Sequence, residues 1–228
     1  MKKETANRKV KEDLRRRIIE TAKTIFDEQL VKLTFGVVSA RIPGTDRVMI
    51  TPSGFSKAKV KTGELIVLDL EGNLVEGRLK PSVESKVHCY IHKHRPDVGA
   101  VIHTHSHIAS GFACAQMPIP CVSTEQAFVL EGAVPVVEEY AMPGTQLEDE
   151  IAKIEKALRN AKAVLAQSHG VFVIGSTLKE ALDNAIVFED CARTALVSNL
   201  LGVTKELTSE QMRQLMELKQ RYGQKRRE

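Results

Sequence analysis

Val98-Gly99-Ala100-Val101-Ile102-His103-Thr104-His105-Ser106 begins as an apolar, β-branched run and ends on two histidines two residues apart. Such a run reads as a buried strand, on which residues i and i+2 share a face, so the two imidazoles converge at the strand's end. A second apolar run, Ala163-Val164-Leu165-Ala166, leads to Ser168-His169-Gly170 and brings a third imidazole from another strand end. Three neutral imidazoles with a vacant fourth position form the donor set of a catalytic zinc, whose open site admits water or substrate. The plainer alternative is a strand-end pair of satisfied surface histidines.

Outward from this strand the hydrophobic pattern alternates between two periods. Val10, Leu14, Ile18, Ala22 and Ile25 fall at helical spacing and predict an opening helix over about 8–30. Strand-type runs follow at Thr34–Ile42, Arg47–Thr51 and Leu65–Leu70, and the Glu71-Gly72-Asn73 turn into Leu74–Glu76 has the form of a hairpin. A helix is expected from Pro81-Ser82 to His94, closed by Arg95-Pro96. After the histidine strand the pattern predicts a helix at Ile108–Ala115, short strands at Ile119–Val122 and Val134–Glu138, and a helix over Gln146–Arg159. Two strands in Ala163–Ile174 are broken at His169-Gly170. A long helix spans Leu178–Leu201, and a last amphipathic helix starts after Thr208. Strands clustered centrally and flanked by helices give an α/β fold, a three-layer α/β/α arrangement around a largely antiparallel or mixed sheet. The 228 residues, 43% of them apolar, suit one domain over 1–228 with a basic N-terminal helix and a C-terminal helix and tail at about 208–228.

The net charge of +4 is concentrated at the two ends, as expected of solvated helix faces, and the sparse aromatics with no Trp offer no stacking platform for nucleic acid. No apolar leader or membrane-length stretch is present, so a cytoplasmic location is expected. Cys89, Cys114, Cys121 and Cys191 lack metal or redox spacing and are expected as buried thiols. Glu84 falls in the first turn of the helix after Pro81-Ser82, where the helix dipole favours a carboxylate, and could serve as fourth ligand or general base. Glu84, His88 and His92 also lie at i, i+4 and i+8 on one helical face and could themselves chelate; exposure or core packing accounts better for His92 and His94.

These motifs carry a resemblance. Phe35-Gly36-Val37-Val38-Ser39, Thr51-Pro52-Ser53-Gly54, Lys80-Pro81-Ser82-Val83-Glu84, Pro96 through His105 and Gln167-Ser168-His169-Gly170, in that order, resemble the class II aldolase and adducin family. The resemblance implies that His103, His105 and His169 bind Zn2+ or another divalent ion such as Mn2+, Co2+ or Fe2+. It implies that Glu84 ligates the metal and acts as base during turnover, and that Tyr222 is a proton donor. Ser53, Gly54 and Ser82 would hold the substrate's anionic end, and the assembly would be a homotetramer with active sites at subunit interfaces. The implied activity is that of a metal-dependent aldolase, a lyase cleaving a carbon–carbon bond of a ketose phosphate or related hydroxy-carbonyl compound by retro-aldol reaction through an enediolate. A sugar-phosphate epimerase, decarboxylase or dehydratase on the same metal site is the alternative. The epimerase likeness is poorer, because that branch has aspartate where Glu84 stands. A non-catalytic adducin-like binding module is a further alternative, but such domains lack the metal histidines. The chain departs from the family pattern at Val37 and Val83, where polar phosphate anchors are usual.

Overall fold

A computed structural model describes residues 2–138, 148–202 and 204–221. Among the described residues seven α-helices and eight strands follow one another as α1 (Lys2–Asp27), β1 (Val37–Arg41), β2 (Arg47–Ile50), β3 (Ile66–Asp69), β4 (Leu74–Glu76), α2 (Ser85–His94), β5 (Ala100–Thr104), α3 (His107–Ala115), α4 (Thr124–Leu130), β6 (Val136–Val137), α5 (Glu148–Ala157), β7 (Ala163–Ala166), β8 (Gly170–Gly175), α6 (Leu178–Leu200) and α7 (Ser209–Arg221). The strands form one sheet in the order β4-β3-β2-β1-β5-β8-β7-β6. Every neighbouring pair is antiparallel except β6 with β7, so the sheet is mixed, as expected.

The sheet is covered on both faces because its central strands alternate two apolar sets. Val38 and Ala40 of β1, Ile102 of β5 and Val171 and Val173 of β8 pack with Leu14, Ile18, Ala22 and Ile25 of α1, Phe112 of α3 and Ala185 and Phe188 of α6. On the other face Val101, Val164, Phe172 and Ile174 meet Val87 and Ile91 of α2 and Ile151 and Ile154 of α5. Val10, expected on the buried stripe of α1, is exposed.

Three local expectations are corrected. Ile119–Val122 makes only a single bridge, Ile119 with Val134, because Pro118 and Pro120 remove the backbone donors that a ladder needs. Helix α4 was not anticipated; it is capped by Ser123, whose side chain accepts from the Gln126 N–H. Of the cysteines, all free, Cys114 is exposed rather than buried.

Helix α3 begins directly after the histidine pair, and its first amides are satisfied from a distance. Buried Glu189 on α6 accepts from the N–H groups of Ile108 and Ala109 at 2.9 and 3.1 Å. A carboxylate at a helix N-terminus meets both the unpaired donors and the positive end of the dipole. Glu189→Ala will strip both amides of their acceptor and lower unfolding free energy by about 2 kcal/mol. Urea denaturation will show this as a lower midpoint with an unchanged slope.

Candidate metal centre

Strand β5 delivers His103 on its buried face, and His105 follows at the strand's end. The antiparallel pairing of β5 with β8 sets Thr104 opposite Val171, which brings the turn before β8 alongside the histidine pair. His169 sits in that turn, behind Ser168 in a left-handed conformation (φ 53°). Gly170 makes the approach possible: a Cβ there would lie 2.4 Å from the Thr104 carbonyl oxygen and 3.2 Å from ring atoms of both His103 and His105. No other residue fits that cradle without moving a ligand or the strand.

The three Nε2 atoms converge. His103 Nε2 lies 2.9 Å from His105 Nε2 and 3.0 Å from His169 Nε2. His103 Nδ1 lies 2.8 Å from the Val171 carbonyl, which can only accept, so Nδ1 carries the hydrogen and Nε2 turns its lone pair into the site. Burial, reinforced by the neighbouring imidazoles of His169 and His105, holds His103 well below the ordinary histidine range. Burial likewise pushes His105 down to about 4, with His169 adding to the shift. Neutral rings with converging lone pairs are the form that binds a divalent cation. Among the described residues these three histidines are the group whose ligand atoms lie close enough to share an ion, within 4.8 Å of one another.

Glu84 reaches the same point from the start of α2. It is the N-cap residue of α2, with helical backbone angles (φ −80°, ψ −6°), one position ahead of the expected first turn. Its buried carboxylate lies 3.2 Å from His169 Nε2. The helical chelate of Glu84, His88 and His92 does not form. His88 and His92 turn instead to Ser39, and His94 lies on the surface with Nδ1 3.0 Å from the Tyr90 carbonyl.

Above the imidazoles opens a cavity of about 270 Å³, bordered by Phe35, Val37, Ser53, Gly54, Ser82 and Val83 together with Glu84 and the histidines. All three expected anchor residues, Ser53, Gly54 and Ser82, therefore border it. Two loops supply them, and the Ser53 N–H donating to the Lys80 carbonyl at 3.0 Å joins those loops. The Phe35 ring stacks against His105 at 5.3 Å. Lys57, not anticipated from its polar surroundings, is 2% exposed and donates to the carbonyls of Thr34 and Phe55. Burial pushes its amine down to about 8. Tyr222 lies outside the described residues.

The sequence matches the family described as "Class II Aldolase and Adducin N-terminal domain" over residues 16–196. Relatives include a probable L-ribulose-5-phosphate 4-epimerase of Mycoplasma pneumoniae, 31% identical over 208 residues that cover 86% of each chain. An L-ribulose-5-phosphate 4-epimerase of Salmonella paratyphi B is 32% identical over 74% of this chain and 78% of its own. Among solved structures, an L-fuculose 1-phosphate aldolase superposes with a TM-score of 0.84 at 30% identity, covering 90% of this chain and 95% of that one. A putative aldolase/epimerase/decarboxylase from Klebsiella pneumoniae superposes with a TM-score of 0.80 at 27% identity, covering 90% and 98%.

Proposed function

Because the chain belongs to the class II aldolase and adducin family, we propose that it is a divalent-metal-dependent enzyme of sugar-phosphate metabolism that breaks and remakes a carbon–carbon bond beside a ketone. The observation that carries this reading is the convergence of three imidazole Nε2 atoms and one carboxylate at the base of an open cavity. The epimerase names of the relatives favour 4-epimerisation of a ketopentose phosphate over the aldolase reading drawn from the sequence. The likeness to an L-fuculose 1-phosphate aldolase, and Glu84 itself, keep net cleavage as the second reading.

A divalent ion such as zinc on His103, His105 and His169 would supply Lewis-acid polarisation of the substrate carbonyl. The protein's own groups do the rest. Glu84 takes or returns a proton at the reacting carbon or its hydroxyl. The Ser53 and Ser82 hydroxyls and the N-terminal end of α2 hold an anionic substrate terminus, where the helix dipole favours negative charge. Phe35 screens the His105 side of the cavity from water. Both readings share the first step, loss of the hydroxyl proton and scission into an aldehyde and an enediolate. Rejoining on the aldehyde's other face inverts one carbon. Protonating the enediolate carbon and releasing both halves is cleavage.

That difference supplies the test. Metal-reconstituted protein is incubated in D2O with L-ribulose 5-phosphate and, separately, with L-fuculose 1-phosphate, and the products are read by NMR. Epimerisation gives the C4-inverted ketopentose phosphate with no deuterium on carbon. Cleavage gives an aldehyde and a three-carbon ketone carrying one solvent deuterium: dihydroxyacetone phosphate with lactaldehyde from L-fuculose 1-phosphate, dihydroxyacetone with glycolaldehyde phosphate from L-ribulose 5-phosphate. Neither product from either sugar would overturn the proposal.

The apolar residues on the cavity's border give a further prediction. Val83 is 55% exposed, and Val37 borders the same cavity. Val37→Asn with Val83→Ser will tighten binding of a phosphorylated ketose by ~1 kcal/mol or more for each new hydrogen bond to the phosphate, about fivefold in Kd. Calorimetry with metal-loaded protein measures it. Unchanged affinity would show that the cavity does not seat a phosphate against these residues.

A further inference from the structure

Helix α2 carries Glu84 at its leading end, so whatever fixes the helix on the sheet fixes the carboxylate over the imidazoles. Most of that interface is apolar: Val87 and Ile91 pack on Val101 and Phe172. Apolar contact is non-directional and leaves the helix free to slide or rotate by fractions of a turn. Directional contacts come from β1, whose α2-facing residues are Val37, Ser39 and Arg41 in succession. Val37 borders the cavity. Arg41 donates to the His92 carbonyl near the helix's far end and reaches the Arg95 carbonyl. Between them Ser39 Oγ lies 2.7 Å from His88 Nδ1 and 3.1 Å from His92 Nε2.

All three groups of this cluster are fully buried. His88 Nε2 has no hydrogen-bond partner among the described residues, so the cluster carries a desolvation cost that an apolar trio would not. The proposed reaction uses none of the three. Their placement relates them to the site in two ways. His88 stands one helical turn beyond Glu84 and donates its N–H to the Glu84 carbonyl at 3.2 Å. The His88 ring also meets Phe172 edge-on at 6.0 Å, and Phe172 stacks on His103 at 4.4 Å. Two rings on successive turns, tied to one hydroxyl on a central strand, set both the height and the rotation of α2.

We propose that Ser39, acting through His88 and His92, is the positioning residue that holds the Glu84 carboxylate against the imidazole cluster. The proposal rests on the reading of Glu84 as the group that moves the proton, and it adds the element that aims it. Breaking the tie leaves the metal ligands on β5 and the β7–β8 turn in place while the helix end drifts. Misplacement of a catalytic group by about 1 Å costs on the order of 10²-fold in rate.

The test compares full-length Ser39→Ala and Ser39→Cys with the wild type. Cysteine nearly preserves shape but bonds weakly, so it separates hydrogen bonding from packing. Crystal structures of metal-loaded protein give the Glu84–His169 separation, and kinetics with L-ribulose 5-phosphate give kcat and KM. In both variants the separation is expected to open from 3.2 Å to beyond about 4 Å, outside hydrogen-bond range. The kcat value should fall by about 10²-fold with KM within about twofold and metal content unchanged. An unmoved carboxylate, wild-type kcat with an opened separation, or a cysteine variant matching wild type in both readouts each overturns the proposal. If a serine variant fails to fold, His92→Leu, which removes the far arm of the tie, is judged by the separation and kcat criteria. If the wild type turns over neither L-ribulose 5-phosphate nor L-fuculose 1-phosphate, the functional reading fails while the separation still decides the positioning role.

Discussion

Replacing any one of His103, His105 or His169 with alanine will abolish stoichiometric metal binding. The wild-type protein, reconstituted and desalted, is expected to hold about one divalent ion per chain. Each variant should fall below about a tenth of that, because loss of even an outer-shell partner typically lowers metal affinity by about 10–100-fold and loss of a ligand costs more. Elemental analysis beside a circular-dichroism spectrum separates metal loss from unfolding. His94→Ala is the control: the side chain is on the surface beside the Tyr90 carbonyl, and its removal should leave metal content unchanged. Full occupancy in any of the three ligand variants would show that the ion, if bound, is held elsewhere.

The second large effect is expected at Glu84. Glu84→Gln keeps the size of the side chain and a hydrogen-bonding oxygen near His169 but cannot take up a proton at neutral pH. Turnover of whichever ketose phosphate proves to be the substrate should drop by about 10²-fold or more, the usual worth of a positioned acid–base group. Metal content should be retained, since three imidazoles remain. A fall in kcat with KM little changed places the loss in the transition state. Wild-type turnover in this variant would remove Glu84 from any proton-moving role, whereas loss of the metal would make it chiefly a ligand.

How much of this was legible in the sequence depends on the range of the interaction concerned. The β5 strand was readable because Ala100-Val101-Ile102 is short, apolar and bounded by glycine and polar residues, and the i, i+2 rule joins His103 to His105 with no tertiary information. The long helices α1 and α6 were readable because several turns of periodicity accumulate. Helix α4 was missed because seven residues span too few turns to show a period, although Ser123 followed three places later by Gln126 is a capping signal that could have found it. His169 is different. Its arrival beside His103 depends on β5–β8 pairing across 66 residues, which no local pattern encodes; the apolar run before it marked only a strand end, and the ordered family motifs joined it to the pair. Glu84, His88 and His92 do share one helical face but divide between two neighbours, because the sheet beneath them presents the metal histidines at one end and Ser39 in the middle. Lys57 gave no signal, since burial of a lone lysine is decided by the loops that close over it.

The place of β5 within the sheet bears on how a bound ion would leave. With β1 hydrogen-bonded on one side and β8 on the other, this strand has no free edge and cannot fray without disrupting the middle of the sheet. Its amides should therefore belong to the last set to exchange with deuterium, opening only with the whole molecule. Chelators would then have to work through the cavity mouth past Phe35, so the rate of ion loss should follow chelator size and concentration and be nearly indifferent to mild denaturant.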